Sequence, residues 1–399
     1  MTAITAVDST IALVPGPVNA HSHAFHRVLR GRTHREQGSF WTWREQMYSA
    51  ASALTPAGYE RLATAVFAEM VVSGWTAVGE FHYVHHRPDG TPYADHDMER
   101  ALARAAAAAG IRLALLDTCY LAGGIGQPLA AAQTRFSDGD AAAWVRRVHS
   151  LRAALAEEAG ALVTVGAAIH SVRAVPADQL TVIASDLDPA LPLHVHLSEQ
   201  QAENVACLDA HGVTPTELLE RSGLLSPRLS AVHATHLTDA DIALLGRREV
   251  TIVMCPTTEA DLGDGIGPAR ALHDAGATIA LGSDQHAVLD PFLEMRGLEH
   301  HERLGAQLRG RFTPAEIISA AVDGGRRSLG LGLSDDVVLV RRNTARTAGS
   351  DLDQLPLTAT AADIAEVRIA GTVVARDGEH TSLGDPGRLY ADALTHLDL

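Results

Sequence analysis

Short apolar segments rich in branched residues alternate along the chain with longer segments rich in Ala, Leu, Glu and Arg. The first kind is typical of buried strands and the second of helices. The strand-like segments fall near residues 11–14, 74–83, 111–120, 162–170, 191–197, 229–235, 250–255 and 277–283. The helix-like segments are 43–72, 95–109, 139–159, 176–186, 214–221, 238–246, 268–275 and 290–307. This α/β alternation predicts a parallel (β/α)8 TIM barrel, with a doubly wound open sheet as the alternative.

The pattern changes after residue 331. Two strand-like segments, 336–340 and 366–374, are separated there by polar sequence rich in Ala and Thr. We therefore expect the barrel to span residues 15–332. Residues 1–14 and 333–384 are expected to form a small β subdomain, and 385–399 a peripheral C-terminal tail.

Composition narrows the range of partners and compartments. The net charge of −16 argues against nucleic-acid and anionic-membrane partners. No apolar segment reaches the roughly 18 residues that a membrane span needs, and no signal peptide is expected at the N-terminus. The three cysteines, Cys119, Cys207 and Cys255, are odd in number and scattered. They predict reduced thiols and a cytoplasmic location.

The chain contains no lysine, because all 32 basic residues are arginines. Schiff-base chemistry, a P-loop lysine and a carbamylated lysine bridging two metals are therefore all excluded. The 21 histidines, by contrast, are numerous, and several stand beside the apolar segments.

Polar side chains follow several of the predicted strands, at the end where parallel barrels carry their active sites. They are His21 and His23, His196, His233 and Asp284. His21 and His23 are two residues apart, so on a strand they point to the same side. Three histidines and one aspartate suit a divalent metal such as zinc, with one position left for a water whose pKa falls to about 7.

Glu199 stands three residues after His196, one step beyond a metal ligand, where a carboxylate can carry protons. A solvated helix start is the alternative interpretation of this glutamate. His194 lies deeper on the same strand, and we expect it to be a core histidine with a satisfied hydrogen bond. The acidic residues after the seventh strand could contact a substrate or could belong to a polar turn: Glu259, Asp261 and Asp264.

Eight motifs in this order resemble the formimidoylglutamate deiminases, a family in the mononuclear deaminase branch of the amidohydrolase superfamily. They are His21-Ser-His-Ala-Phe25, Phe40-Trp-Thr-Trp-Arg-Glu45, Glu80-Phe-His-Tyr-Val-His-His86, His170-Ser-Val-Arg-Ala-Val175, His194-Val-His-Leu-Ser-Glu-Gln200, His233-Ala-Thr-His-Leu237, Thr258-Glu-Ala-Asp-Leu-Gly-Asp-Gly265 and Gly282-Ser-Asp-Gln-His286. The resemblance covers roughly residues 17–330. It agrees with the missing lysine, since binuclear relatives usually need a carbamylated lysine on the fourth strand.

The resemblance implies a metal-dependent hydrolase barrel and a role for each matching residue. The residues that match the ligands of one divalent metal, zinc, are His21, His23, His196 and Asp284. The residues that match the catalytic set are Glu199, His233 and Asp284. The residues that match substrate contacts are His26, Arg44, Tyr83, His170 and Arg173.

The activity that this implies is hydrolysis of N-formimino-L-glutamate to N-formyl-L-glutamate and ammonia, a step of histidine degradation. A small anionic amino acid is thus the expected partner, and a homodimer the expected assembly. The alternatives are a deaminase for another formimino or guanidino acid, or for a cytosine, guanine or triazine ring. The remaining alternative is a barrel without catalytic activity that serves in binding or assembly.

Three positions depart from the family pattern. His26 stands where the family usually has Gln, at a position that resembles a substrate contact. Gln285 stands beside Asp284, where Ser is usual. The N-terminal β segment is also shorter than usual, which predicts a reduced small subdomain. The first two departures bear on the identity of the substrate and not on the type of reaction.

Overall fold

Eight parallel strands form the centre of this computed structural model, which describes residues 3–33, 40–158 and 160–397. The barrel strands, numbered first to eighth below, are Val18–Ser22, Ala77–His82, Arg112–Cys119, Val163–Ile169, Leu193–Leu197, Leu229–His233, Thr251–Met254 and Thr278–Leu281. Each of them pairs in parallel with its neighbours in the sequence. The predicted (β/α)8 barrel with a small β appendage is confirmed.

Helices cover the outside of the barrel and part of its rim. The described α-helices are Phe40–Ala53, Pro56–Val72, Asp97–Ala109, Ala141–Glu158, Ala177–Asp186, Gln201–His211, Pro215–Arg221, Asp239–Arg247, Pro256–Leu262, Ala269–Asp274, Pro291–Ala306, Pro314–Ser319, Gly325–Ser328, Leu355–Thr358 and Pro386–Leu394. Short 3₁₀ segments are Ala24–Leu29, Ala131–Phe136, Gly160–Leu162, Leu352–Gln354 and Ala361–Asp363, and Ala320–Gly324 is a π turn. Among the described residues, no helix is both long and apolar enough to cross a membrane.

The first and eighth strands meet, so the sheet closes and the open-sheet alternative is excluded. The carbonyl oxygen of His21 accepts hydrogen bonds from the backbone N–H groups of Ser283 and Asp284, each at 3.0 Å. The N–H of His23 donates in turn to the carbonyl oxygen of Asp284 at 3.1 Å. Gly282 allows this approach, because a Cβ at that position would lie 2.8 Å from the Cβ of His21. We call this junction the seam.

Residues 11–14 were counted among the eight strand-like segments of the barrel, and this count is wrong, whereas the expected boundary at residue 15 leaves them outside the barrel. Ile11–Pro15 instead pairs antiparallel with Val337–Arg341 in a separate six-stranded sheet. The physical reason is the Pro15-Gly16-Pro17 sequence, which interrupts the strand before the barrel begins. The first barrel strand is Val18–Ser22, which contains fewer branched residues than the segment before it.

The prediction of one helix over 43–72 is also wrong, because the segment contains two helices. The first ends at Ala53 and the second begins at Pro56. Proline cannot donate a backbone hydrogen bond and is favoured in the first turn of a helix. Thr55 caps the second helix, since its side-chain oxygen accepts from the N–H of Gly58 at 3.1 Å.

The small sheet is antiparallel and combines both ends of the chain. Its strands are Thr5–Ala6, Ile11–Pro15, Val337–Arg341, Ile364–Ile369, Thr372–Arg376 and Glu379–His380. The C-terminal helix Pro386–Leu394 packs back on the barrel, where the hydroxyl of Tyr390 donates to the carbonyl oxygen of Arg27 at 3.2 Å. The Arg27 guanidinium stacks over the Tyr390 ring at 4.0 Å.

An ion pair joins the barrel to the small sheet. Arg112, the first residue of the third strand, donates from Nε to Asp336 Oδ2 at 2.6 Å and from Nη2 to Oδ1 at 2.9 Å. The N–H of Ala370 also donates to Asp336 Oδ1, at 2.8 Å. Burial acts to raise the pKa of the Asp336 carboxyl, but these hydrogen bonds outweigh burial and hold the pKa below its usual value.

We expect the change Asp336→Asn to lower the free energy of unfolding by about 1–3 kcal/mol at pH 7, the usual contribution of hydrogen bonds to a charged group. The native pKa of Asp336 is depressed, so its stabilisation is present above the unfolded-state pKa. It is lost as the pH falls through the native value. Denaturant titrations of both proteins from pH 7 downwards should therefore converge in acid. A difference that does not depend on pH would contradict the ion-pair interpretation.

Candidate active site

The side chains predicted as metal ligands converge at the carboxyl-terminal end of the barrel. His21 belongs to the first strand and His196 to the fifth, while His23 follows the first strand directly. Asp284 lies in the turn after the eighth strand. All four side chains are buried, and strand ends far apart in the sequence bring them together.

Donor atoms of these residues face one another across a small space. His21 Nε2 lies 3.1 Å from His196 Nε2 and 3.5 Å from Asp284 Oδ1. His23 Nε2 lies 3.4 Å from the same carboxylate oxygen. The atoms of His21, His23 and Asp284 all lie within 4.8 Å of one another, and so do those of His21, His196 and His233. Buried imidazole nitrogens and a carboxylate at this spacing fit a divalent cation such as zinc.

Backbone carbonyl groups orient two of the imidazoles. His23 Nδ1 lies 2.9 Å from the carbonyl oxygen of Phe81, and His196 Nδ1 lies 2.9 Å from that of His170. A carbonyl oxygen only accepts hydrogen bonds, so both Nδ1 atoms carry the proton. The lone pair of each ring is therefore on Nε2, the nitrogen that faces the shared space.

The imidazoles are neutral in this environment. Burial and the neighbouring His21 lower the pKa of His23 to about 3, although the charge of Asp284 acts in the opposite direction. Burial also holds the pKa values of His21 and His196 well below the usual range. Neutral imidazole is the form that binds metal ions.

The backbone around the site adopts an uncommon conformation. Asp284 has a φ of 40°, His233 a φ of 68° and Ser198 a φ of 51°, all in the left-handed region. A residue other than glycine pays of the order of 1–3 kcal/mol for such a conformation, which typically persists at functional sites. Three residues of this kind thus lie at the ends of the fifth, sixth and eighth strands, beside the donor cluster.

Glu199 and His233 lie beside the donor cluster. His233 Nε2 is 3.9 Å from Glu199 Oε1 and 4.0 Å from Asp284 Oδ2. Burial alone would lower the pKa of His233, but the charges of Glu199, Glu259 and Asp284 overcome it and raise the pKa to about 10. Burial likewise raises the pKa of the Glu199 carboxyl. The pair is therefore able to retain a proton at neutral pH.

Glu259 contacts the opposite side of the His233 ring, a role that the sequence analysis did not assign. Its Oε1 atom lies 3.5 Å from His233 Nδ1 and accepts the N–H of Cys255 at 2.9 Å. The side chain is buried, so it does not belong to an exposed polar turn. The spacing in the sequence gave no signal for this contact, because the helix Pro256–Leu262 turns Glu259 back towards the sixth strand.

The other positions singled out near the site have ordinary partners. His194 is buried with Nε2 2.9 Å from the carbonyl oxygen of Ser328, which confirms the prediction of a core histidine. Gln285, one of the departures from the family pattern, donates from Nε2 to Asp261 Oδ2 at 2.7 Å. Asp264 accepts a hydrogen bond of 2.5 Å from Nε2 of Gln200.

Four of the five predicted substrate contacts line one cavity next to the donor cluster. They are His26, Tyr83, His170 and Arg173. His26 Nε2 lies 3.0 Å from the Tyr83 hydroxyl. Arg173 donates from Nε to Glu203 Oε2 at 2.6 Å, which fixes the plane of its guanidinium. The side chain of Arg44, the fifth residue, lies outside the part of the chain that the structure describes.

Five further residues of the cavity wall were not predicted from the sequence. The wall residues are Trp43, Met47, Tyr48, Tyr120 and Leu262. Trp43 and Met47 are four residues apart in the helix Phe40–Ala53, which places them on one face. Tyr120 directly follows the third strand, where barrel enzymes usually carry functional residues. The spacing of Trp43 and Met47 and the position of Tyr120 could therefore have been recognised in the sequence. No sequence feature indicated that Leu262 lines the cavity.

Comparison with known proteins agrees with this geometry. The amidohydrolase family profile matches residues 12–334. Formimidoylglutamate deiminase of Pseudomonas aeruginosa is 36% identical over 97% of this chain and 89% of its own length. A 5-methylthioadenosine/S-adenosylhomocysteine deaminase of Natronomonas pharaonis is 28% identical over 96% of this chain and 86% of its own. The resemblance found in the sequence motifs is confirmed.

Solved structures show the same architecture. An amidohydrolase from Brucella melitensis superimposes with a TM-score of 0.88 and 31% identity, covering 96% of this chain and 89% of that one. An adenosine deaminase from Xanthomonas campestris, described with bound zinc, gives a TM-score of 0.81 and 27% identity, with coverage of 96% and 84%. The similarity in fold therefore extends over nearly the whole of this chain.

Proposed function

The chain belongs to the amidohydrolase family and is a hydrolase that acts on carbon–nitrogen bonds, and from this premise we propose that it deiminates N-formimino-L-glutamate. The products are N-formyl-L-glutamate and ammonia. The observation that carries the proposal is the combination of a buried donor cluster with Arg173 in a single cavity. The 36% identity to a formimidoylglutamate deiminase over 97% of the chain supports the same substrate.

The charges of the substrate match those of the cavity. A formimino group is an amidine, which carries a positive charge at neutral pH, and the two carboxylates of the glutamate part are negative. Asp284 and Glu199 lie at the inner end of the cavity and attract the amidine. Arg173, with its guanidinium oriented by Glu203, offers the planar donor fork that suits a carboxylate.

One divalent metal, zinc, would be held by His21, His23, His196 and Asp284. When bound, this ion would supply Lewis acidity, which polarises the reacting groups and lowers the pKa of water. The chain itself provides the orientation, through the carbonyl oxygens of Phe81 and His170 that fix the His23 and His196 rings. A single ion agrees with the absence of lysine from the sequence.

Proton transfer is assigned to Glu199, His233 and Asp284. His233 and Asp284 orient the attacking water. Asp284 accepts the proton of this water, and the protonated His233 stabilises the tetrahedral adduct at the amidine carbon. Glu199 then protonates the departing nitrogen, which leaves as ammonia. Glu259 lies at the far side of the His233 ring, where its carboxylate stabilises the protonated imidazole.

Recognition of the carboxylates is assigned to Arg44 and Arg173, with His26, Tyr83 and His170 beside them. The hydrogen bond between His26 and Tyr83 supports a place for an imidazole where the family usually has Gln. His26 is therefore part of the cavity wall and not a reason to reject the family substrate.

Steady-state ammonia release from a panel of compounds tests the proposal. The panel contains N-formimino-L-glutamate, N-formimino-L-aspartate, guanidino acids, cytosine, guanine and a triazine. We expect the highest kcat/KM for formimino-glutamate. The aromatic wall of the cavity makes a ring deaminase the specific rival, so a higher kcat/KM for any ring would overturn the proposal. Absence of ammonia release from every compound would favour a catalytically silent barrel.

The change Arg173→Met is expected to lower kcat/KM for formimino-glutamate by about 10–150-fold, because it removes a charge-assisted pair of roughly 1.5–3 kcal/mol. The mono-amide that lacks the matching carboxylate should lose much less. Since Arg173→Met leaves Glu203 buried without its partner, the double variant Arg173→Met with Glu203→Gln is the matched control. Equal losses on both compounds would contradict carboxylate recognition.

Two further expectations concern the chain as a whole. We propose that it assembles as a homodimer in the cytoplasm, with the division into barrel, small β subdomain and tail at the boundaries given above. The buried, free state of Cys119, Cys207 and Cys255 supports a reducing compartment. Sedimentation at micromolar concentration would test the dimer.

A further inference from the structure

A buried amide stands directly behind two tyrosines of the cavity wall. Gln133 belongs to the 3₁₀ segment Ala131–Phe136 and is 2% exposed. Its Nε2 atom donates to the hydroxyl oxygen of Tyr48 at 2.8 Å and to that of Tyr120 at 2.8 Å. Both rings line the cavity that holds Arg173, whereas Gln133 itself does not.

The orientation of this amide follows from its third hydrogen bond. Gln133 Oε1 accepts the backbone N–H of Ala130 at 2.7 Å. A backbone N–H can only donate, so the oxygen of the amide must face Ala130 and the NH₂ group must face the tyrosines. Gly123 packs close by, since a Cβ there would lie 3.0 Å from Gln133 Oε1. The amide is therefore held in one orientation.

The fixed amide restricts the directions in which the two tyrosine hydroxyl groups can donate hydrogen bonds. Each tyrosine oxygen accepts one N–H of Gln133, so its own proton must point in another direction. Tyr120 lies against His170, with ring centroids 4.5 Å apart, and close enough to Arg173 to contribute, after Glu203 and Glu199, to the raised pKa of its guanidinium. The Tyr120 ring thus lies in the same part of the cavity wall as Arg173, and Tyr48 lines the same cavity.

We propose that Tyr48 and Tyr120 determine specificity by donating hydrogen bonds to a carboxylate of the substrate, and that Gln133 is the residue that positions them. This inference rests on the proposed function, and it identifies the part of the cavity wall that, together with Arg173, would bind the substrate carboxylate. Tyrosine hydroxyls and a guanidinium together favour a carboxylate over an amide, because an amide NH₂ would meet only donors.

The first test is a pair of single changes, Tyr48→Phe and Tyr120→Phe, which remove only the hydroxyl group. We expect each to raise KM for formimino-glutamate so that kcat/KM falls about 10–100-fold, with kcat nearly unchanged. The mono-amide at the recognised carboxylate should show little change. Tyr93→Phe is the matched control, because Tyr93 stacks against Arg87 at 4.5 Å and does not line the cavity.

The second test concerns Gln133. The change Gln133→Glu keeps an oxygen for Ala130 but replaces the NH₂ group by an acceptor, so the hydroxyl protons should turn towards residue 133 and away from the substrate. A similar rise in KM is expected, and it should disappear in the Tyr48→Phe, Tyr120→Phe background. Gln133→Met removes the N–H donors without adding charge. It should also raise KM, and this rise should likewise disappear in the Tyr48→Phe, Tyr120→Phe background.

The outcomes separate this inference from the proposed function. If the wild-type protein does not release ammonia from formimino-glutamate, the proposed function itself fails. If it does, but the phenylalanine variants keep the wild-type KM, or lose equally on acid and mono-amide, the tyrosine assignment is overturned. An effect of Gln133→Glu that persists without the two hydroxyl groups would overturn the role of Gln133.

Discussion

Replacing Glu199 by Gln is expected to lower kcat by about 10²–10⁴-fold, the usual contribution of general acid–base catalysis. Glutamine keeps the size of the side chain but cannot donate a proton to the departing nitrogen. The carboxylate lies 3.9 Å from His233 Nε2 and is not one of the four proposed ligands. Metal content and KM should therefore stay near the wild-type values.

The control for this experiment is Glu217→Gln, the same chemical change at an exposed position paired with Arg221. It should leave kcat unchanged. Near-normal turnover of the Glu199→Gln protein would contradict a catalytic role for Glu199 and would favour its interpretation as part of a solvated helix start. A loss of metal from that protein would place Glu199 among the ligands instead.

Removal of the metal is the second large effect that we expect. Lewis-acid stabilisation contributes several kcal/mol, so exhaustive chelation should lower activity by about 10³-fold or more. One equivalent of zinc per chain should restore it. Elemental analysis that finds two tightly held ions per active chain would contradict the single-metal assignment.

The fifth strand offers a matched pair of variants for the same question. His194 and His196 are two residues apart on one face, but His194 bonds to the carbonyl oxygen of Ser328 whereas His196 faces His21. We expect His196→Gln to lose the metal and His194→Gln to retain it with a lower melting temperature. Equal loss of metal from both variants would contradict the proposed ligand set.

The sequence was sufficient to predict the barrel because alternation of strand and helix is local information. His21, His23, His196 and Asp284 could be found for the same reason, since each follows an apolar segment in which the end of the strand is recognisable. Counting residues 11–14 among the barrel strands, although the expected boundary at residue 15 left them outside the barrel, was an error of a kind that local patterns cannot prevent. A single apolar strand looks the same whether it pairs with a barrel or with a distant segment such as Val337–Arg341.

Contacts between distant segments were not predictable. The histidines of the Glu80–His86 motif belong to the family resemblance, yet His82 and His85 contact Glu99 at 3.2 Å and 2.8 Å, away from the donor cluster. Arg147 joins the same buried network through Asp117 at 2.6 Å. Similarly, no spacing links Gln133 to Tyr48. Only the three-dimensional arrangement of the strand ends brings such residues together.

The seam between the first and eighth strands sets an order of events during synthesis of the chain. His21 and Asp284 come from the two strands that meet there, and the hydrogen bonds of the seam connect their backbones. A nascent chain therefore cannot complete the ligand set until Asp284 has left the ribosome and the barrel has closed. An ion that binds only the closed form stabilises it by mass action, so a metal held by the proposed ligands would stabilise the finished barrel. A circular permutant whose new termini lie outside the seam should still be stabilised by the metal. A permutant opened between Gly282 and Asp284 should not be.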